Sequence, residues 1–219
     1  MSNLELYITN DGSHTLINTD LRESYHSIYG AVQESQHVYI DNGLAAIHKN
    51  EITILEIGFG TGLNAYLSLA FARESKVKLN YFAIEKFPLP MDIVQKLNYP
   101  QILNLAPSDF LALHKNIWQQ QIILDEFFNI TKYPIGVEDF ETNKKFDLVY
   151  FDAFAPNIQP DIWLESIFYK IAALLNPGGT LITYCAKGIV KRTLKKCGFK
   201  IESLPGPIGK REITRAVKL

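Results

Sequence analysis

A glycine-rich turn lies where a predicted buried strand gives way to a predicted helix. The turn reads Glu56-Ile57-Gly58-Phe59-Gly60-Thr61-Gly62, and the apolar runs on either side are residues 53–57 and 63–73. Glycines in such a turn let the backbone approach a ligand closely, and the first N–H groups of the following helix have no partner within the helix. The pattern therefore predicts a ligand-binding turn.

The spacing of the glycines distinguishes between ligands. A dinucleotide-binding turn has the pattern G-x-G-x-x-G, whereas this chain has Leu63 at the last position, which argues against NAD. The next predicted strand, residues 79–84, is followed by Glu85, whose carboxylate can accept hydrogen bonds from ribose hydroxyls. We therefore expect a site for a nucleoside-containing cofactor. The alternative is an ordinary glycine-rich turn beside a surface glutamate.

Strands and helices must hold these residues in place, and the apolar pattern predicts both. Further strands are predicted at residues 128–133, 146–151, 180–184, 199–204 and 212–217, and further helices at 91–97, 160–175 and 189–197. Strands that alternate with helices predict an α/β fold, with a mostly parallel seven-stranded sheet and helices on both faces.

The N-terminal part of the chain has a different pattern. An Asp-Gly turn between residues 6–9 and 14–17 predicts a β-hairpin. We expect an N-terminal hairpin and cap segment over residues 1–50, followed by one α/β domain over residues 51–219.

Length and composition exclude several classes of protein. The 219 residues include 47% hydrophobic residues and only two cysteines, which excludes collagen-like, low-complexity and disulfide-rich chains. The longest uncharged stretches have 16 residues, fewer than the roughly 18 needed to span a bilayer, and no signal-peptide pattern is visible. The five histidines have no metal-ligand spacing with the cysteines, so no metal site is predicted. We expect a cytoplasmic protein without a membrane span.

Several blocks of residues resemble one family. They are the glycine turn extended to Asn64, together with Gln33-Glu34-Ser35, Glu85-Lys86-Phe87-Pro88-Leu89, Phe151-Asp152-Ala153-Phe154-Ala155-Pro156 with Pro160 and Trp163, Pro177-Gly178-Gly179-Thr180-Leu181, and Gly209-Lys210-Arg211-Glu212. They resemble the class I S-adenosylmethionine-dependent methyltransferases, and within them the methyltransferase domain of the MnmC family with its stand-alone MnmD members. That family methylates the aminomethyl group of a modified wobble uridine in tRNA. The resemblance implies a Rossmann-like methyltransferase fold and S-adenosyl-L-methionine as the cofactor.

The same resemblance assigns the cofactor site. It places the turn glycines at the methionine part of the cofactor and Glu85 at its ribose. The full set of implied cofactor contacts is Glu56, Gly58, Gly60, Gly62, Asn64, Glu85, Asp139 and Asp152.

The adenine contact in this family comes from the aspartate of a Gly-Asp pair. The corresponding pair here is Glu138-Asp139, so Asp139 is the candidate, and Asp109 is its rival. Only six residues separate Asp139 from Phe146, where the next strand begins, so we expect this crossover to lack a normal helix.

Asp152 is the predicted catalytic residue. It follows the strand at 146–151, at the edge of the sheet where ligands of such folds bind. An alkylamine has a pKa of about 10 and is mostly protonated at neutral pH, so methyl transfer to its nitrogen needs a group that orients the amine and takes up its proton. Phe154 and Pro156 are expected to shape a dry pocket against a flipped base. The alternative is that Asp152 only caps the following turn.

The charge is unevenly distributed along the chain. The net charge is −1, but residues 187–219 contain ten basic and two acidic residues, and the other 186 residues contain 12 basic and 21 acidic ones. A basic segment of this kind suits tRNA phosphates, although an ordinary solvated basic face is the alternative. The predicted phosphate contacts are Lys187, Lys191, Arg192, Lys195, Lys210 and Arg211.

The resemblance, together with these patterns, implies a tRNA methyltransferase that converts 5-aminomethyl-2-thiouridine at the wobble position to 5-methylaminomethyl-2-thiouridine. Bifunctional members of the family carry an additional FAD-dependent oxidase domain, which we do not expect in this chain because no second dinucleotide motif occurs. Two alternatives remain open: an N-methyltransferase of small-molecule amines, and a non-catalytic nucleoside- or RNA-binding module on the same fold.

Overall fold

The N-terminal residues form a small antiparallel sheet. The computed structural model describes residues 3–115 and 117–219, beginning with strands β1 (Leu4–Ile8), β2 (His14–Asn18) and β3 (Glu23–Ser24) in the order β1-β2-β3. The Asp11 carboxylate stabilises the turn between β1 and β2, because its Oδ1 accepts hydrogen bonds from the Ser13 N–H at 3.0 Å and the Thr9 hydroxyl at 2.7 Å. The predicted hairpin is confirmed.

A short helical segment connects this sheet to the rest of the molecule. It consists of helix α1 (Ala31–Ser35), a π-helical turn (Gln36–Asp41) and a 3-10 turn (Leu44–Ala46). Val38, Tyr39 and Leu44 are buried in the same apolar cluster as the central sheet. The predicted division of the chain at residue 50 stays a prediction.

In the described part of the chain, the central sheet has eight strands. They are β4 (Glu51–Ile57), β5 (Lys78–Ile84), β6 (Gln121–Ile123), β7 (Phe128–Tyr133), β8 (Phe146–Phe151), β9 (Leu175–Thr183), β10 (Phe199–Pro205) and β11 (Glu212–Lys218). Their order is β10-β11-β9-β8-β4-β5-β7-β6, and the pairs β4–β5, β4–β8, β5–β7 and β8–β9 are parallel. All seven predicted strands are present. The added strand β6 pairs antiparallel at the edge, and its three residues are too few to be recognised as a strand from the sequence.

Helices cover both faces of this sheet. They are α2 (Leu63–Ser75), α3 (Met91–Val94), α4 (Tyr99–Leu103), α5 (Pro107–His114), α6 (Glu165–Leu174) and α7 (Gly188–Lys196). Neighbouring residues of a strand point to opposite faces, so Ile54 packs in the cluster that contains α2, whereas Leu55 packs in the cluster that contains α6 and α7. Burial on both faces explains why the parallel strands read as continuous apolar runs.

The connection between β7 and β8 contains no helix, as the short spacing predicts. Residues 134–145 instead form turns, and two of their side chains, Val137 and Phe140, are each 1% exposed. The Phe140 ring lies 5.0 Å from the Tyr133 ring. These side chains take the place of a crossover helix over this part of the core.

The helix predicted over residues 160–175 is interrupted. A 3-10 turn (Pro160–Trp163) comes first, Leu164 is extended with ψ at 151°, and α6 begins only at Glu165. Strand β9 then starts directly at Leu175, with a register shift against β8 that accommodates the residues of the Asn-Pro-Gly-Gly segment. Within the described ranges, no helix has the length and apolar character required to cross a membrane.

The packing of Phe140 gives a test of the helix-free crossover. Phe140→Ala should lower the free energy of unfolding by about 3 to 5 kcal/mol, because it leaves a cavity in the core. Asn143→Ala, an exposed position in the same connection, should change it by less than about 0.5 kcal/mol. Urea unfolding measures both values, and a loss below about 1 kcal/mol for Phe140→Ala would contradict this packing.

Candidate active site

The glycine turn brings the ends of two neighbouring strands together. Gly58, Gly60 and Gly62 adopt positive φ angles of 90°, 50° and 72°, a region that side chains disfavour. A Cβ atom on Gly58 would lie 2.4 Å from the backbone oxygen of Asp152. Glycine at this position therefore allows the turn after β4 to contact the chain that leaves β8.

Glu85 lies beside this turn, at the end of β5. Its Oε2 accepts a hydrogen bond from the Gly60 N–H at 2.8 Å, and its Oε1 accepts one from the Phe87 N–H at 2.8 Å. Burial raises the pKa of Glu85, and the two backbone donors oppose this by stabilising the ionised form. Each carboxylate oxygen keeps a further acceptor position, which suits ribose hydroxyls.

Asp152 follows β8 and is held by two side chains. The Tyr39 hydroxyl donates to its Oδ1 at 2.7 Å, and the Asn64 amide donates to its Oδ2 at 2.8 Å. Burial raises the pKa of Asp152 to about 6, although both hydrogen bonds favour the carboxylate. The group is therefore poised to gain or lose a proton close to neutral pH.

Glu56 lies beneath Asp152 and is fully buried. Asn64 links the two acids, because its amide also donates to Glu56 Oε1 at 3.0 Å. Burial raises the pKa of Glu56 well above its ordinary value, with the charge of Asp152 as a further cause. The neutral form of Glu56 is favoured as a result, and this avoids placing two negative charges on either side of one amide.

A cleft of about 1270 Å³ opens over these groups, at the carboxyl ends of the parallel strands. Pockets for one small molecule have roughly 300 to 1,000 Å³, so this cleft can hold a cofactor together with a second group. Seven carboxylates line it among the residues that the structure describes: Asp20, Glu23, Glu34, Glu85, Glu138, Asp152 and Asp161. Only two lysines, Lys86 and Lys210, lie among the described lining residues, so the cleft favours cations.

One wall of the cleft is aromatic. The rings of Tyr25 and Phe154 meet edge to face at 5.2 Å, and both side chains line the cleft. Trp163 fixes the backbone of this segment, because its Nε1 donates to the Phe154 carbonyl at 2.8 Å. Pro156 is half-buried in the same loop but is not among the described residues that line the cleft.

Several predicted cofactor residues lie where they can reach a ligand, and others do not. Gly58, Gly60, Asn64, Glu85 and Asp152 line the cleft. Gly62 and Glu56 are absent from the lining in the described part of the chain. A Cβ on Gly62 would lie 2.6 Å from His114 Nε2, so this glycine allows close packing, and Glu56 supports Asn64 from below.

Neither candidate for the adenine contact is among the described residues that line the cleft, and the contact stays a prediction. Asp139 is exposed and lies outside the cleft, because the helix-free connection turns at Gly136 and presents Ile135, Gly136, Val137 and Glu138 to the cleft instead. The rival Asp109 forms an ion pair with Arg73 on the outside of α2.

The basic C-terminal residues divide into two groups. Lys191 forms an ion pair with Glu212 at 2.7 Å, and Lys210 pairs with Glu34 while its Nζ lies 4.0 Å from the centre of the Tyr184 ring in the cleft. The remaining predicted contacts are exposed and form no ion pair with another described residue: Lys187, Arg192, Lys195 and Arg211.

Two residues of the site were not identified from the sequence. Tyr184 directly follows β9 at the edge that carries Asp152, so the rule that ligands bind at the carboxyl ends of strands was a signal for it. Tyr39 lies in the π-helical turn, 113 positions from Asp152, and no local pattern indicates their contact.

Comparisons with known proteins agree with the fold. A family model described as S-adenosyl-L-methionine-dependent methyltransferase matches residues 118–219. The bifunctional protein MnmC of tRNA 5-methylaminomethyl-2-thiouridine biosynthesis from Pseudoalteromonas atlantica is 29% identical over 93% of this chain and 32% of its own length. The MnmC protein of Campylobacter hominis is 31% identical over 92% of this chain and 31% of its own. The chain thus spans about a third of the length of these relatives.

Solved structures of similar proteins share this fold. The crystal structure of MNMC2 from Aquifex aeolicus superposes with a TM-score of 0.77 and 28% identity, covering 99% of this chain and 70% of that one. Spermidine synthase from Thermotoga maritima has a TM-score of 0.58 at 15% identity over 99% of this chain and 72% of its own, which shows the fold alone. The predicted resemblance, fold and cofactor are confirmed, and the roles of the individual site residues stay predictions.

The buried acid Glu56 gives a test of this electrostatic arrangement. The folded protein holds the Glu56 proton more tightly than the unfolded chain, whose carboxyl has a pKa of 4.5. The wild type therefore loses stability as the pH rises above that value, by up to about 1.4 kcal/mol per pH unit while the folded carboxyl stays protonated. Glu56→Gln removes this loss, so the variant should gain stability relative to the wild type as the pH rises.

Urea unfolding between about pH 5 and about pH 8 measures the effect. Asn143→Ala, the exposed position used above, changes no titratable group and serves as the control, so its difference from the wild type should not change with pH. A pH-independent difference for Glu56→Gln as well would show that the Glu56 pKa is not raised.

Proposed function

We propose that this chain, which matches a family model of S-adenosyl-L-methionine-dependent methyltransferases over residues 118–219, methylates the aminomethyl group of 5-aminomethyl-2-thiouridine at the tRNA wobble position, giving 5-methylaminomethyl-2-thiouridine. One observation carries this proposal: the Asp152 carboxylate, with its pKa of about 6, lines a cleft that is large enough for the cofactor and a nucleoside. The names of the MnmC relatives support the substrate.

The cleft fits the cofactor in shape and charge. The glycine turn leaves backbone space beside the N-terminus of α2, and Glu85 offers free acceptor positions for the ribose. When bound, S-adenosyl-L-methionine supplies an electrophilic methyl group on a positively charged sulfur. The carboxylates of the lining favour this cation and also the cationic amine of the substrate.

Asp152 is proposed to prepare the substrate amine. Its carboxylate accepts a hydrogen bond from the ammonium group, orients the nitrogen and takes one proton, so that the lone pair becomes available for the methyl group. A base with a pKa near the working pH combines the correct protonation state with useful proton affinity. Positioning two reactants in one cleft supplies most of the remaining acceleration.

The aromatic wall is proposed to hold the modified base. Phe154 and Tyr25 offer ring faces and edges next to Asp152, where a base turned out of the anticodon loop can pack. Pro156 contributes only to the shape of the loop behind Phe154.

The exposed basic residues are proposed to bind the tRNA backbone. Lys187 donates to the Asn157 side chain at 2.6 Å in the loop that follows Asp152, and Arg192 lies beside Gly188 at the start of α7. Both cations therefore stand at the edge of the sheet that carries the cleft. Lys195 and Arg211 are the further exposed members, whereas Lys191 and Lys210 are engaged with acids of the protein.

A labelling experiment tests the function. The protein is incubated with S-adenosyl-L-methionine carrying a labelled methyl group and with tRNA that contains 5-aminomethyl-2-thiouridine, and the digested nucleosides are separated. Label is expected in 5-methylaminomethyl-2-thiouridine, and none with the same tRNA carrying unmodified uridine. Label only in small amines would favour a small-molecule methyltransferase, and cofactor binding without turnover would favour a binding module.

The proposed role of Asp152 predicts a large loss of activity in Asp152→Asn. An amide cannot take the proton, so kcat should fall by about a hundredfold or more, the range of general base catalysis. Isothermal titration with S-adenosyl-L-methionine should show that the variant still binds cofactor. Asp92→Asn, an exposed position on α3, is the matched control and should react at the wild-type rate. Wild-type turnover by Asp152→Asn would contradict the catalytic role.

The proposed tRNA contacts predict a change in salt dependence. Lys187→Glu combined with Arg192→Glu should weaken tRNA binding by about tenfold and reduce the slope of log affinity against log salt by about two. The control combines Lys76→Glu with Lys144→Glu, which are exposed near the opposite edge of the sheet and should have little effect. Filter binding at several salt concentrations measures the tRNA affinity of both double variants. Equal loss of affinity in the two double variants would contradict a localised phosphate contact.

A further inference from the structure

We propose that Tyr39 is a positioning residue for the methyl transfer. Tyr39 lies in the N-terminal segment, and its hydroxyl keeps the Asp152 carboxylate ionised and correctly oriented. The inference rests on the proposed function of Asp152, whose carboxylate binds the substrate amine and takes its proton. It follows from the 2.7 Å hydrogen bond that the Tyr39 hydroxyl donates to Asp152 Oδ1. Tyr39 lies outside the residues that line the cleft in the described part of the chain, so it acts through Asp152.

The backbone and the ring of Tyr39 are both held in place. Tyr39 is in the π-helical turn and is 1% exposed, and its ring lies 5.1 Å from the ring of Tyr150 on β8. The turn is closed by Gly43, where a Cβ would lie only 2.4 Å from the Tyr39 carbonyl oxygen. Single π-helical turns occur often at functional sites. Here the turn carries the side chain that donates to Asp152.

Tyr39 and Asn64 divide the two oxygens of the carboxylate between them. Asn64 donates to Oδ2 and also to Glu56, so its amide is shared between two acids. The Tyr39 hydroxyl has Asp152 as its only hydrogen-bond partner among the described residues. With one donor on each oxygen, the plane of the carboxylate is defined, and each oxygen keeps an acceptor position for the substrate.

Other titratable groups face Asp152 but do not donate hydrogen bonds to it. Glu56 from β4 and Tyr81 from β5 lie below it, and Tyr184 follows β9 beside it. Glu34 from α1 raises the pKa of Asp152, and Lys210 from the β10–β11 loop lowers it. Glu34 and Lys210 form an ion pair, so their effects on the pKa of Asp152 oppose each other. The hydroxyl of Tyr39 stays protonated throughout, because burial and Asp152 raise its own pKa well above the ordinary value.

The direct test measures the protonation of Asp152 in the protein without substrate. In carbon-13 NMR of aspartate-labelled protein, the Asp152 carboxyl signal is assigned with Asp152→Asn and followed against pH. Tyr39→Phe removes one donor to the carboxylate, so the midpoint should rise by about one pH unit. Site-specific 3-fluorotyrosine at position 39 keeps the ring and makes a stronger donor, so the midpoint should fall.

Tyr150→Phe is the matched control. It removes one buried hydroxyl from the ring that packs against Tyr39, and this hydroxyl contacts Ser68 at 3.3 Å rather than Asp152. Its midpoint should equal that of the wild type. Equal midpoints in wild type, Tyr39→Phe and the 3-fluorotyrosine protein would overturn the proposal, because a merely structural role for Tyr39 leaves the titration of Asp152 unchanged.

The pH dependence of methyl transfer provides the second readout. In Tyr39→Phe, the acidic limb of the pH profile of kcat should move to higher pH by the same amount as the NMR midpoint. Activity is then lost most at low pH and recovers as the pH is raised. An unshifted limb with a uniformly lower kcat would contradict the proposal. If the wild type does not methylate the tRNA, the proposed function fails, whereas the NMR titration still tests the link between Tyr39 and Asp152.

Discussion

The Asp152 carboxylate is held by two hydrogen bonds that come from opposite sides of the site. Asn64, from the first turn of α2, donates to one oxygen, and Tyr39, from the N-terminal segment, donates to the other. Gly58 makes this possible, because only a residue without a Cβ lets the turn after β4 approach the backbone of Asp152. The proposed chemistry depends on this carboxylate remaining ionisable inside a largely buried site, and the two donors offset part of the cost of its burial.

The uneven charge of the chain has a structural explanation. The acidic excess is concentrated at the cleft, where it suits a cationic cofactor and a cationic amine. The basic C-terminal excess is partly consumed within the protein, since Lys191, Lys196 and Lys210 pair with glutamates. The exposed remainder is smaller than the count of basic residues indicates, and this favours a salt-sensitive contact with selected phosphates over strong binding to any polyanion.

Sequence patterns predicted those parts of the site that follow directly from one strand end. The glycine turn, Glu85 and Asp152 each stand immediately after a buried apolar run, and parallel strands bring such ends to one edge of the sheet. The adenine contact at Asp139 stays a prediction, and the sequence could not show which residues of this connection line the cleft, because its helix-free path depends on the turn at Gly136 and on the burial of Val137 and Phe140. Tyr39 could not be predicted, because its contact with Asp152 is a product of tertiary packing between distant segments.

A structure of the complex with S-adenosylhomocysteine and an anticodon stem-loop containing 5-aminomethyl-2-thiouridine tests the central claim most directly. The measurement is the distance from the substrate amine nitrogen to the Asp152 carboxylate. We expect a hydrogen bond of about 2.7 to 3.2 Å, with the Tyr39 and Asn64 contacts retained. An amine nitrogen that pairs with Glu34 instead, or lies beyond roughly 4 Å from both Asp152 oxygens, would contradict the account.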